Sequence, residues 1–128
     1  MRVLIDTHAL LWAVIGDKRL SRTAQEAVES FETDMFVSAA SAWEICTKYR
    51  LGKLPEAENL VGNLGGILAQ LGFRELAVSL KHAERAGTLP GGHRDPFDRM
   101  LIAQAQTENL SVVTNDRLFD HYAVTRIW

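Results

Sequence analysis

This sequence of 128 residues has little cysteine and little net charge: one cysteine and a formal net charge of −2. The single cysteine, Cys46, excludes an internal disulfide and a zinc site built on cysteines. Its neighbours predict a helix, in which we expect it to be a small buried hydrophobic residue. The near-neutral charge lacks the basic excess typical of nucleic-acid-binding domains, although acids clustered at one site would conceal a basic rim in that sum.

Long hydrophobic runs are also missing. The apolar segment from Ala9 to Ile15 is far shorter than the roughly 20 residues that a membrane span requires. Asp6 and His8 interrupt the N-terminal apolar stretch, so we expect no signal peptide and a cytoplasmic location. Nearly half of the residues are apolar and no low-complexity linker divides them, which favours one domain over residues 1–128.

Strands and helices are predicted to alternate along the chain. The short apolar run Val3–Ile5 predicts a strand buried on both faces. Further strands are predicted at Met35–Val37, within 73–78, at Leu110–Val113 and within Val124–Ile127. Helices are predicted at Ala9–Val14, from Ser38 to Gly52, at Asn59–Leu71 and from Ser79. Two more are predicted from their caps, Ser21 and Asp95. The helix after Ser21 carries Ala24, Val28 and Phe31 at helical spacing. This order predicts an α/β fold around a parallel sheet, with Trp12 and Trp43 in the core.

Four acidic residues lie where a predicted strand ends or a predicted helix begins: Asp6, Glu44, Asp98 and Asp116. The carboxyl ends of parallel strands meet at one edge of a sheet, and the helices that follow start there. Each acid also has a local alternative. Asp6 can cap a helix, Glu44 can pair with Lys48, Asp98 can complement a helix dipole, and Asp116 suits a turn. The prediction of a functional site therefore rests on the expectation that all four acids meet at one edge of the sheet.

Clustered carboxylates raise each other's pKa unless a cation joins them. Hard oxygen ligands suit Mg²⁺ or Mn²⁺. Such an ion would lower the pKa of a bound water, orient a scissile phosphate and neutralise developing charge. The sequence has neither a Gly-rich phosphate-binding motif nor a serine nucleophile elbow. The pattern therefore predicts a metal site for phosphodiester hydrolysis.

Basic residues accompany the predicted acids. His93 and Arg94 lie in a Gly-rich loop before the acidic helix, while Arg99 and Arg117 each directly follow a predicted ligand. We expect these four to contact a phosphate backbone. The remaining histidines lack zinc-like spacing and are expected to be structural or solvated: His8, His82 and His121.

Four segments carry a resemblance to a known family: Val3–Thr7, Ser41–Ile45, His93–Ala105 and Thr114–Asp116. Together they resemble the PIN-domain ribonucleases and, more narrowly, the VapC-type toxins of bacterial and archaeal type II toxin–antitoxin systems. The resemblance covers the whole chain in family order and is most specific around Asp98. It implies a three-layer α/β/α sandwich with a central parallel sheet of about five strands.

The resemblance also implies roles for individual residues. The acidic quartet of the family, which would bind Mg²⁺ or Mn²⁺, is matched by Asp6, Glu44, Asp98 and Asp116. Thr7 and Thr114 match hydroxyl residues that orient the acids. Asp95 is expected first as a helix cap and second as an outer-shell contact to the metal.

Such enzymes cut RNA at chosen single-stranded sites, often in tRNA or rRNA, and thereby halt translation. They are commonly homodimers, and an antitoxin that wraps the toxin neutralises them. The resemblance therefore implies a metal-dependent endoribonuclease toxin with a cognate antitoxin partner. Two alternatives stay open, namely a metal-dependent phosphohydrolase or DNA nuclease, and a catalytically silent domain that binds RNA or protein.

Overall fold

Five strands form one parallel sheet in the computed structural model, which describes residues 1–128. The strands are β1 (Arg2–Ile5), β2 (Asp34–Ser38), β3 (Arg74–Leu76), β4 (Ser111–Val113) and β5 (Arg126–Ile127). They lie in the order β3-β2-β1-β4-β5, and every neighbouring pair is parallel. The prediction of an α/β fold with a parallel sheet of about five strands is confirmed.

Six α-helices connect and cover the strands. They are α1 (Thr7–Ile15), α2 (Arg22–Glu29), α3 (Ala39–Arg50), α4 (Leu64–Gln70), α5 (Leu80–Thr88) and α6 (Pro96–Glu108), with short 3₁₀ helices at Pro55–Ala57 and Arg117–His121. The hydroxyls of Ser21, Ser38 and Ser79 accept backbone N–H groups at the starts of their helices, as predicted. None of the helices combines the length and apolarity that crossing a membrane requires.

Alternate residues of β1 face opposite sides of the sheet. Val3 and Ile5 pack in one apolar cluster with Leu10 of α1, while Leu4 packs in another with Leu101 of α6. All five side chains are fully buried. Helices on both faces thus make three layers, which explains why β1 is uniformly apolar instead of alternating.

The structure corrects two expected helices. The helix α2 ends at Glu29, and Phe31 beyond it is fully exposed, so Phe31 does not belong to a buried helical face. The helix expected over 59–71 begins only at Leu64. Gly62 before it adopts a φ of 84°, a left-handed conformation that interrupts a right-handed helix.

The expectation that Cys46 and Trp43 are buried is wrong. Both are exposed on the outer side of α3, and Trp43 retains 67% of its accessible surface. The side of α3 that packs inward carries Ala40, Ser41, Glu44 and Ile45. At 100° per residue, positions 43 and 46 point away from that side. Trp12, by contrast, is buried as predicted.

Candidate metal centre

Neighbouring strands bring Asp6 and Asp116 to the same edge of the sheet. Asp6 follows β1, and its backbone N–H donates to the carbonyl of Val113 in β4 at 3.0 Å. One oxygen of each acid caps a helix. Asp6 Oδ1 accepts from the N–H of Ala9 at 2.7 Å, and Asp116 Oδ1 accepts from that of Leu118 at 2.9 Å. Capping, the local alternative for Asp6, is therefore observed, and Asp116 caps a helix as well. The second oxygen of each carboxylate is not used by its cap.

Asp98 reaches this edge from the first turn of α6. The cap of α6 is Asp95, whose Oδ1 accepts from the N–H groups of Phe97 at 2.9 Å and Asp98 at 3.3 Å. Pro96 occupies the first turn. Because Asp95 already caps the helix, the Asp98 carboxylate is not needed for that purpose.

Glu44 is an unusual member of a helical ion pair because its side chain is only 3% exposed. Its Oε2 accepts a hydrogen bond from Lys48 Nζ, one turn further along α3. Its other oxygen, Oε1, is buried and has no partner. The ion pair between Glu44 and Lys48 therefore contains a buried carboxylate. An unpaired buried oxygen costs stability unless a cation or another donor satisfies it.

The carboxylates influence one another electrostatically. Burial, followed by the negative charges of four nearby carboxylates, raises the pKa of Asp98 to about 8. Those carboxylates belong to Asp95, Asp6, Glu44 and Asp116. Burial also raises the pKa of Asp6, although a hydrogen bond from the Thr114 hydroxyl opposes this shift. The four predicted acids therefore lie near one another at this edge, and Lys48 offsets part of their negative charge. Asp98 and Asp116 belong to the group of donor atoms that lie within 4.8 Å of one another, whereas Asp6 and Glu44 do not.

Three hydroxyl side chains support the pocket. Thr114 Oγ1 accepts the N–H of Asp116 at 3.0 Å, consistent with an orienting role. Thr7 Oγ1 lies 3.0 Å from Ser41 Oγ, which ties α1 to the helix that carries Glu44. Ser41 is fully buried and was missed in the sequence analysis. Its position three residues before Glu44, on the same side of α3, is the only sequence signal for it.

His93 enters the same pocket, although its sequence position suggested only a phosphate contact. Its side chain is 7% exposed, and Nε2 lies 3.2 Å from Asp98 Oδ2 and 3.5 Å from Asp116 Oδ2. These three residues offer ligand atoms that all lie within 4.8 Å of one another. In the sequence, the glycines before α6 indicated a loop whose backbone can turn sharply. They did not indicate that the His93 side chain points toward Asp98 and Asp116.

Arg99, which was expected to contact a phosphate, is hydrogen-bonded to the backbone of its own chain. Its Nε and both terminal nitrogens donate hydrogen bonds to backbone carbonyls of the preceding segment, those of Ala86, Leu89 and His93. The guanidinium thus holds the loop before α6. Arg94 and Arg117 are exposed beside the pocket residues.

The fold and the pocket together define a class of protein: a three-layer α/β domain in which buried carboxylates converge at the carboxyl edge of a parallel sheet. The family model of the PIN domain matches residues 3–124. This chain therefore belongs to the PIN-domain family.

Two relatives of this chain are named as ribonucleases. The chain is similar to Ribonuclease VapC22 of Mycobacterium tuberculosis, with 31% identity over 120 residues that cover 90% of this chain and 87% of the relative. It is also similar to Ribonuclease VapC16 of the same organism, with 38% identity over 55 residues, 43% of this chain and 39% of that protein. The first similarity extends over nearly the whole of both chains.

Solved structures share the fold. A chain of VapBC2 from Rickettsia felis, crystallised with a DNA fragment from its promoter, superposes with a TM-score of 0.71 and 17% identity, over 98% of this chain and 97% of that chain. A chain of FitAcB from Neisseria gonorrhoeae superposes with a TM-score of 0.69 and 20% identity, over 98% and 96% of the two chains. At such identities the likeness concerns the three-layer architecture.

Proposed function

We propose that this protein is a metal-dependent endoribonuclease that acts as the toxin of a type II toxin–antitoxin system. The observation that carries the proposal is the buried acidic pocket, in which the pKa of Asp98 is raised to about 8 and one oxygen of Glu44 has no partner. Carboxylates held in this way favour a cation. The similarity to proteins named as VapC ribonucleases supports RNA as the substrate.

The donor set fits a hard divalent ion. The residues that would hold Mg²⁺ or Mn²⁺ are Asp6, Glu44, Asp98 and Asp116, all of which offer carboxylate oxygens. When bound, the ion would supply an activated water and neutralise charge at the phosphate during an in-line displacement. The fit rests on the unpaired Glu44 oxygen and on the mutual repulsion of the carboxylates around Asp98. No side chain needs to become covalently attached to the substrate.

Neighbouring residues have supporting roles in this proposal. Thr7 and Thr114 keep the acids oriented through the hydrogen bonds described above. Asp95 caps α6 and provides an outer-shell contact to the metal. Arg94 and Arg117 are exposed and contact the RNA backbone on either side of the cut.

The proposed cellular role is inhibition of translation through cleavage of tRNA or rRNA. Structural neighbours are described as a toxin–antitoxin complex from Klebsiella pneumoniae and as VapBC bound to DNA from Salmonella typhimurium. We propose by analogy a cognate antitoxin that covers the pocket, a homodimeric toxin, and a cytoplasmic location.

Cleavage of total cellular RNA by the purified protein tests the enzymatic proposal. We expect discrete fragments with Mg²⁺ or Mn²⁺, none with EDTA, and none with Asp98→Asn. Asp34→Asn is the matched control, because Asp34 is an exposed acid at the amino end of β2, opposite the pocket. RNA that stays intact with both metals would contradict the proposed activity, and fragments unaffected by Asp98→Asn would indicate a contaminating nuclease.

Controlled expression in cells tests the toxin role. We expect incorporation of labelled amino acids to stop soon after induction of the wild-type protein and to continue after induction of Asp98→Asn. Equal incorporation in both strains, at equal protein levels, would contradict translation inhibition while leaving the nuclease activity to be judged in vitro.

A further inference from the structure

We propose that His93 is a direct metal ligand, acting together with Asp98 and Asp116, and that its imidazole biases the pocket toward Mn²⁺ over Mg²⁺. This inference rests on the proposed metal-dependent function and deepens it. It adds a nitrogen donor to a site that the sequence pattern presents as built from oxygen alone.

The first argument is the condition of the His93 ring. Its side chain is 93% buried, which follows from an exposure of 7%, and its Nε2 makes no hydrogen bond of acceptable geometry. Buried polar atoms almost always have a partner, so each exception requires an explanation. Nε2 lies within 3.5 Å of two carboxylate oxygens, yet it is aligned with neither. The nitrogen and the two oxygens instead border a common space.

The second argument is the spacing of the three donor atoms. They belong to His93, Asp98 and Asp116, and all lie within 4.8 Å of one another. Ligands bound at about 2.0–2.3 Å from a single ion are about 3–4.6 Å apart, depending on the angle between them. The contacts of 3.2 and 3.5 Å from Nε2 to the two carboxylate oxygens match the shorter separations in such an arrangement.

The loop before α6 keeps the ring in place. Arg99 donates a hydrogen bond to the carbonyl of His93 at 3.0 Å, and the ring meets Phe119 edge-on with centroids 6.3 Å apart. The N–H of Asp95 lies 3.4 Å from Nδ1, longer than an ordinary hydrogen bond. In this hydrogen bond Nδ1 is the acceptor, so metal binding at Nε2 requires the ring proton to move to Nδ1 and this long hydrogen bond to be given up.

The chemistry of the donors then predicts selectivity. Mg²⁺ is a small, hard ion that prefers oxygen ligands and gives up its waters reluctantly. Mn²⁺ is a larger and softer ion, so it accepts an imidazole nitrogen more readily than Mg²⁺ does. A site with one imidazole and several carboxylates therefore discriminates in favour of Mn²⁺. Without His93, the remaining oxygen donors would bind the two ions more equally.

Electron spin-echo spectroscopy of the wild-type protein with one equivalent of Mn²⁺ tests the ligand directly. We expect ¹⁴N modulation from a coordinated imidazole, replaced by the ¹⁵N pattern when the protein is prepared with ¹⁵N-labelled histidine. Bound Mn²⁺ without nitrogen coupling would overturn the inference, because His93 would then serve only as a hydrogen-bond donor to the carboxylates.

Calorimetric titration of two variants provides the second measurement. We expect His93→Gln to weaken Mn²⁺ binding about tenfold or more while Mg²⁺ affinity changes less than threefold, since even indirect partners of metal ligands contribute 10- to 100-fold. His121→Gln, at an exposed histidine, is the control and should bind both ions like the wild type. Equal losses for Mn²⁺ and Mg²⁺ in His93→Gln would contradict the selectivity. Absence of any Mn²⁺ binding to the wild type would instead overturn the proposed metal centre itself.

Discussion

Two buried clusters of titratable groups in this molecule differ in how their polar atoms are partnered. Between α5 and α6, both ring nitrogens of His82 are used: Nδ1 accepts the N–H of Ser79 at 3.0 Å, and Nε2 lies 2.8 Å from Glu108 Oε1. At the sheet edge, Glu44 and His93 retain buried atoms without partners. The first cluster stabilises a junction, whereas the unpartnered groups of the second lower stability. In α6 the unpartnered buried atoms belong to the neutral side chains of Gln104 and Thr107, whereas at the sheet edge they belong to the titratable side chains of Glu44 and His93. Unpartnered buried atoms of titratable groups thus distinguish the site from the scaffold.

The largest expected effect concerns activity at the sheet edge. Asp6→Asn should lower metal-dependent RNA cleavage by roughly a thousandfold, because it removes a charged ligand while preserving the cap on α1. Initial rates on the RNA target identified with the wild type measure this loss. The matched change in the scaffold is Glu108→Gln, for which cleavage per folded molecule should stay within twofold. A similar loss in both variants would remove the distinction between the two clusters.

The second effect concerns stability of the scaffold cluster. His82→Ala should lower the free energy of unfolding by about 2–4 kcal/mol, because it leaves a cavity and removes the capping contact with Ser79. Urea denaturation measures this change, and His121→Ala, at an exposed site, should cost less than about 0.5 kcal/mol. A cost below about 1 kcal/mol for His82→Ala would show that the junction does not depend on its pairing.

The third effect has the opposite sign. In the absence of metal at pH 7, Asp98→Asn should stabilise the protein by about 1–3 kcal/mol, because the unfolded chain no longer gains by ionising a carboxyl that the fold keeps protonated. Urea denaturation in EDTA measures this gain. With saturating Mn²⁺ the order should reverse, since the wild type alone binds the ion tightly. A destabilised variant in EDTA would mean that Asp98 is well accommodated without a cation.

The smallest effect is the pH dependence of the metal-free wild type. Asp98 has a pKa of about 8 in the folded protein, compared with about 4 in an unfolded chain, so between these values the folded state holds the extra proton. Stability is therefore greatest below pH 4 for this group and falls as pH rises toward 8. We expect a loss of about 0.5–1 kcal/mol between pH 6 and pH 7, and a smaller one in Asp98→Asn. Equal slopes would contradict the raised pKa.

Much of the fold could be predicted because the deciding signals are local. The apolar run of β1, the Ser21, Ser38 and Asp95 caps, and the placement of Asp6 directly after a strand all depend on neighbouring residues. Such signals determine where an element begins and which edge it reaches.

The remaining features depend on contacts between distant segments. Trp43 and Cys46 are apolar residues on α3, and only the packing of that helix shows that they point outward while the charged Glu44 points inward. His93 reaches the pocket because Arg99 holds its loop. Neither outcome follows from periodicity, because a helix with apolar residues on several sides does not reveal which side is covered.

The pairing of β1 with β4 determines when, during synthesis of the chain, the pocket is completed. Ile5 pairs with Val113, so Asp6 and Asp116 become neighbours only after more than a hundred intervening residues have been synthesised. Contacts between such distant positions form slowly, and chains fold on synthesis from the N-terminal end. A nascent chain therefore carries an incomplete pocket until synthesis has passed β4. If the protein attacks the translation machinery, this topology protects the ribosome that is making it.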